Sequence, residues 1–523
     1  MYGSLAGAAV AATLMSRVSA QALSVADINT VTQRLAESAQ QSWELGTRAQ
    51  SLLDLYIPNF SVFSSTGLPP PSSVPSNTTS AIAPVFSIAR NVVSALKLNT
   101  TSGPTALVNG DGAAGDPASL GVAVLLANWT GQGSGDGLDF AKAAQNQLEY
   151  TLNVVPRTSD GAISHRAAQV QLWSDSVFMV PPFLAYYGVL TGNTTLMNEA
   201  YNQIKLYRNY LRDTSAKNLW KHIVLGTDAQ DSPNDEGHWS TGNGWAAAGM
   251  LRVIATMKNS PYSKTFSSQQ KDLASWVKEI HTAMFANIDS TNIFTNYADE
   301  PISSSMFYDT ASTAFIASTV YRAALLLDDH SHLPNAEKCR QALFAPSNSS
   351  SKSALVRRAG SSSAPSPSGS ADHSSSGSSG SPSSTAPLAS PSATTAPLSG
   401  LLHFTDDGWL TPVVNPHQFG VEGQNSPEGE GFVLELQAAY NEWVAEGSPG
   451  KNAARENRAG GGMGCRMCCG WRPFDICLMG MFKKVKDEYP RIRNDLATID
   501  LRRLPSFICM GHYCTNYCTN CNL

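Results

Sequence analysis

Along most of the chain, apolar residues recur at spacings of three and four, and clusters of Pro, Gly, Ser and Asn break the pattern at intervals. The pattern predicts helices over Ala26–Leu55, Ser80–Leu96, Pro117–Trp129, Leu138–Leu152, Trp245–Met257, Ser267–Phe285, Tyr308–Leu327 and Pro334–Leu343, with two more inside Gln171–Trp245. Ser426-Pro427-Glu428 opens a further helix with an N-cap Ser, a Pro at the first helical position and an acid in the first turn. Strand-like alternation is sparse. Such a train of paired helices predicts an all-α fold, an α/α toroid whose inner and outer helix rings enclose a cleft. An α-solenoid would call for a repeated sequence signature, and none is visible.

The segment 347–399 is dominated by Ser with Pro, Gly, Ala and Thr, too poor in apolar residues to order itself. Because the helix after Ser426 lies beyond it, it reads as a disordered insertion within one domain spanning 24–446, not as a linker between two. Residues 1–20 are small and apolar and end in Val18-Ser19-Ala20, which reads as a signal peptide despite the lack of Lys or Arg at its start. Sequons at Asn77, Asn99, Asn128, Asn193 and Asn348 agree with a secreted, extracellular chain.

The tail, 447–523, carries eight of the nine cysteines, between Cys465 and Cys521. Their spacing can be written as zinc knuckles, as disulfides in a secreted chain, or as read-through of an intron, and no function is assigned to it. Only Cys339 lies in the body, so the domain must hold together by core burial. A net charge of −5 gives no electrostatic footprint for nucleic acid. After the leader no run reads as membrane-spanning. A monomer without cofactor or metal is expected.

The chemistry concentrates in Gln171–Trp245. Asp175 follows Trp173 and heads the apolar run Val177–Leu184. Exposed, it would be an ordinary acid at a helix start; buried beside Trp173, it would keep its proton and suit general acid catalysis. His222 reads either as a satisfied structural histidine or as a site residue. His238-Trp239 precedes Gly242-Asn243-Gly244, read as a turn able to approach a ligand closely, and Trp245 then heads an apolar helix. Tryptophan faces suit sugar rings as well as cores.

In order and spacing, Trp173–Asp175, Pro182–Phe183, Thr191–Asn193, Gln203, Leu219–His222 and Trp239–Trp245 resemble the unsaturated uronyl hydrolases, the six-hairpin glycosidases of glycoside hydrolase families 105 and 88. The stretches from Phe307 and from Ser426 resemble two further helices of that family. One departure stands out: Thr241 occupies the place of the family's Arg before Gly-Asn-Gly-Trp.

The resemblance implies an (α/α)6 toroid. It also implies hydrolysis of oligosaccharides that bear a terminal 4,5-unsaturated uronic acid left by a polysaccharide lyase, of rhamnogalacturonan or pectin type. An acid protonates C4, positive charge develops at C5 and the ring oxygen, water adds at C5, and the hemiketal opens to release the sugar. Asp175 matches the acid/base position. Asp116, ahead of Pro117, is the second candidate acid, with Asp111 as fallback; a plain N-cap is its other reading. Trp173, His222, His238, Trp239, Asn243 and Trp245 are the expected substrate contacts. Glu428 reads as a cap. Two alternatives stay open: an inverting toroid glycosidase on neutral sugars, pairing Asp175 with Asp116 or Asp309, and an inactive sugar-binding homologue.

Overall fold

The computed structural model describes residues 22–96, 103–109, 112–227, 233–347, 398 and 400–451. The expected leader, Asp111, the sequons at Asn99 and Asn348, nearly all of the Ser-rich segment and the Cys-rich tail past residue 451 lie outside them.

Among the described residues there are twelve α-helices: α1 Val25–Ser38, α2 Ser42–Tyr56, α3 Thr79–Ala95, α4 Gly121–Trp129, α5 Phe140–Asn153, α6 Ser176–Thr191, α7 Thr194–Leu211, α8 Ser240–Lys258, α9 Ser267–Phe285, α10 Thr310–Leu327, α11 Leu333–Leu343 and α12 Pro427–Ala445. The even-numbered helices pack side by side in the order α2, α4, α6, α8, α10, α12, and α12 returns to α2 to close an inner ring. Each odd-numbered helix packs outside an inner one: α1 on α12, α3 on α2, α5 on α4, α7 on α6, α9 on α8 and α11 on α10. This is the expected all-α toroid of six hairpins.

Sequence explains the division. Inner helices such as α6 (SVFMVPPFLAYYGVLT) and α8 are buried nearly all round, as a helix walled in by neighbours must be. Outer helices such as α1, α5 and α7 carry one buried stripe and a polar face. α10 is long and apolar enough to cross a membrane, but it is an inner helix buried among its neighbours.

The expected single helix Ala26–Leu55 divides at Ala39–Gln41, where the Glu44 carboxylate receives the backbone N–H groups of Gln40 and Gln41 and starts α2. Ser347 N donates to Gly400 O at 2.8 Å, so the chain returns beside the point where it departs. Three antiparallel ribbons decorate the ring: β1 (Leu172–Trp173) with β4 (Ile223–Val224), β2 (Arg212–Asp213) with β3 (Leu219–Trp220), and β5 (Val413–Asn415) with β6 (Gln418–Gly423).

Candidate active site

β1 runs straight into α6, so Trp173 and Asp175 emerge at the N-terminal end of an inner helix. β4 pairs with β1 and carries the residue after His222, and Ser174 N donates to His222 O. The short ribbon thus sets His222 beside Asp175, with Nε2 3.5 Å from Asp175 Oδ2. The other ring nitrogen, Nδ1, is hydrogen-bonded to Asp235 Oδ2 at 2.9 Å, and the Tyr297 hydroxyl donates to the same oxygen at 2.6 Å.

Asp175 heads α6 but receives no capping hydrogen bond from it, which removes the reading of a simple helix cap. Burial pushes its carboxyl up, as does the charge of Asp235; the charge of His222 and the Ser174 hydroxyl, at 3.0 Å, oppose this. For Asp235, burial acts upward, but the bond and charge of His222 and the Tyr297 hydroxyl outweigh it and hold the carboxyl low.

Asp116 opens a short 3₁₀ helix, Asp116–Leu120, ahead of Pro117. Its Oδ1 lies 3.6 Å from His165 Nε2. Burial, with the charges of Arg166 and His222, pushes the His165 imidazole well below its usual range, so it is neutral. The two acids belong to one locality: a Cβ on Gly115 would come within 3.0 Å of the Ser176 hydroxyl, and these residues adjoin Asp116 and Asp175 respectively. Trp173 lies between the two imidazoles. His165 stacks on it at 4.7 Å and 21°, and His222 meets it edge-on at 5.4 Å. Two carboxyl–imidazole pairs therefore flank one half-buried indole.

Other expected contacts fare differently. Trp245 is 1% exposed and packed among Phe178, Phe315 and Phe432 at 4.6–4.9 Å, a core residue with no face for a sugar. Asn243 is wholly buried and spends its amide on the backbone of Trp220 and Trp239, tying β3 to α8. Trp239 is 3% exposed; it backs the His222 ring at 4.4 Å and donates to Asn296, so it supports the imidazole and offers no stacking platform. His238 sits in a separate cluster, between Asp299 at 2.8 Å and Asp213 at 3.5 Å.

The expected turn at Gly242–Gly244 is instead the first part of α8. Its glycines serve packing: a Cβ on Gly242 would lie 2.3 Å from the Ser174 hydroxyl, and one on Gly244 2.7 Å from Phe315.

Asp309 cannot be the second acid of an inverting pair. It caps α10, and its carboxylate accepts the N–H groups of Ala311, Ser312 and Val414 and the Thr241 hydroxyl. Glu428 is more than a dipole-favoured acid, because Ser426 does the capping. Burial first, then the charges of Asp175, Glu44 and Asp309, push its carboxyl well above the usual range, and a neutral acid gains nothing from the helix dipole.

Sequence reasoning missed Asp235, Tyr297, His165 and Phe419. Phe419, on β6, meets Trp173 and His222 edge-on, and its carbonyl accepts from Asn296. The residue order carried no signal for Asp235 or Phe419, since folding alone brings them to the site. The signal available for His165 was its place ten residues before Asp175.

Residues 125–366 match the family described as Glycosyl Hydrolase Family 88. Over 120 residues the chain is 33% identical to an unsaturated 3S-rhamnoglycuronyl hydrolase of Formosa agariphila; the match spans 21% of this chain and 30% of that protein. The fold is similar to that of a possible GH105 member from Salmonella enterica (TM-score 0.53, 13% identity, 80% of this chain and 93% of that one). It is also similar to a family 105 glycoside hydrolase from C. acetobutylicum (TM-score 0.51, 12% identity, 79% and 99%).

Proposed function

We propose that this chain, which carries a Glycosyl Hydrolase Family 88 domain over residues 125–366, is a glycoside hydrolase that removes terminal 4,5-unsaturated uronic acids from oligosaccharides. One observation carries the reading. Asp175 is a buried carboxyl pushed toward its protonated form, heads a helix it does not cap, and faces an imidazole across 3.5 Å. Such a group can donate a proton and take one back.

In the proposed reaction Asp175 protonates C4 of the vinyl ether. Water adds at C5 and returns a proton to Asp175, and the hemiketal opens to free the remaining sugar. Trp173, held between His165 and His222, lines the place where the ring would bind. Asp116, steadied by His165, assists in orienting ring and water. With Thr241 turned to Asp309, the substrate carboxylate needs another cation, and Arg166, whose charge bears on His165, is suited to that task.

The finer reading is a rhamnogalacturonan-type substrate met outside the cell. The Formosa relative acts on a rhamnoglycuronyl substrate by its name. The sequons at Asn77, Asn128 and Asn193 lie on exposed positions, as secretory glycosylation requires.

The test is incubation with lyase-digested rhamnogalacturonan and glycosaminoglycan, following loss of the ultraviolet absorbance of the conjugated double bond. Turnover of either supports the hydrolase reading, and their ratio sets the substrate class. Release of reducing sugar from saturated substrates instead would select an inverting glycosidase; binding without turnover would select an inactive homologue.

A further inference from the structure

His222 is buried, and its two ring nitrogens are treated unequally. Nδ1 is bonded to Asp235 at 2.9 Å, whereas Nε2 has no hydrogen-bond partner and looks across 3.5 Å at Asp175 Oδ2. Asp235 is itself fixed: its other oxygen accepts Gly237 N at 3.1 Å, its N–H and C=O pair with Ile223, and Tyr297 donates to the same Oδ2 that receives His222. On its far side the ring is held by Trp239 and met by Phe419. Orientation of the imidazole is therefore settled by packing, and its protonation pattern by Asp235.

We infer that Asp235, anchored by the Tyr297 hydroxyl, is a positioning residue that keeps a proton on His222 Nδ1, so that the reactive proton is shared between His222 Nε2 and Asp175 Oδ2. The inference rests on the reading of Asp175 as the proton donor. The pair holds one such proton at rest. Asp175 delivers it to C4, the new C–H bond forms, and the pair is left without it until the water that adds at C5 gives one back. Were Nδ1 bare instead, Nε2 would carry the only imidazole proton and merely donate to an Asp175 carboxylate, leaving no acid to deliver.

The other titratable and charged groups around the pair are His165 across Trp173, with Asp116 and Arg166 beside it, and Glu428 and Tyr207 around Asp175. His165 is neutral, Glu428 is pushed toward its protonated form, and Tyr207 stays protonated. Asp235 is thus the negative group set directly against the pair. Removing its charge lowers the proton affinity of the pair whichever atom holds the proton.

The test uses the full chain. In D235N the alkaline limb of the kcat/KM–pH profile on an unsaturated uronide is expected to move to lower pH by about one unit or more, and D235E to move it back toward wild type. Nitrogen NMR of the histidine-labelled wild type, with His222 assigned through its loss in H222Q, is expected to show Nδ1 protonated. An unmoved limb in a folded D235N, or a wild-type His222 with bare Nδ1, overturns the inference. If D235N does not fold, the wild-type spectrum decides. If the wild type turns over no unsaturated uronide, the functional reading falls, whereas a contrary spectrum beside normal turnover sinks only the role of Asp235.

Discussion

Asp175 and Asp309 occupy equivalent places, each heading an inner helix, and burial pushes both carboxyls up. Their surroundings separate them. Asp309 receives three backbone N–H groups and a hydroxyl, so it joins α10, β5 and α8 into one structure. Asp175 receives the Ser174 hydroxyl, no bond from its own helix, and a facing imidazole. A carboxylate saturated with donors is a joint, because protonating it would break several bonds at once. One left short of donors in a buried place can cycle a proton. Position in a helix does not tell the two apart; the donors do.

The sharpest way to break this contrast is Asp175→Asn, which keeps the shape and removes the proton. Turnover of unsaturated uronides should fall roughly 10²–10⁴-fold with the melting temperature near wild type. Near-full turnover would sink the proposed mechanism, and unfolding would make Asp175 a joint like Asp309.

The tryptophans repeat the contrast. Trp245→Ala should cost about 3–5 kcal/mol in denaturant unfolding, since it empties the centre of an aromatic cluster. Trp173→Ala, at a half-buried position, should chiefly raise KM. Equal stability losses in the two variants would place Trp173 in the core as well.

Asp309→Ala should destabilise by about 2–3 kcal/mol, from the lost cap and from buried donors left unpaired. A loss under about 0.5 kcal/mol by the same unfolding measurement would show that the joint is dispensable.

The smallest effect is a slope. Glu430, in the first turn of α12, is pushed up to about 8 by burial, against the Leu410 N–H and the charge of Arg34. Its folded value lies above the ordinary 4.5, so the folded state holds the extra proton. The stability this contributes is full below about pH 4.5 and is lost as pH rises through about 8. Glu430→Gln should flatten the fall of melting temperature across that window; an unchanged slope would show that Glu430 is ionised in the fold.

The sequence by itself determined the helix train and the all-α class, and it singled out Trp173, Asp175 and His222 as candidate site residues. Those features rest on local periodicity and on short motifs whose members lie close in the chain, so they need no knowledge of contacts. Ser267–Phe285 even carries the observed boundaries. Tertiary structure decided the rest. It sent Trp245 to the core and Trp239 behind His222, and it made a close-packed helix start of Gly242–Gly244, because a flat ring or a missing Cβ acquires its role only from what lies against it. It brought Asp235 and Tyr297 to His222, and Phe419 from beyond the Ser-rich segment to Trp173. Closing α12 onto α2 joins residues nearly four hundred positions apart, a distance at which side-chain periodicity holds no information about which residues will meet.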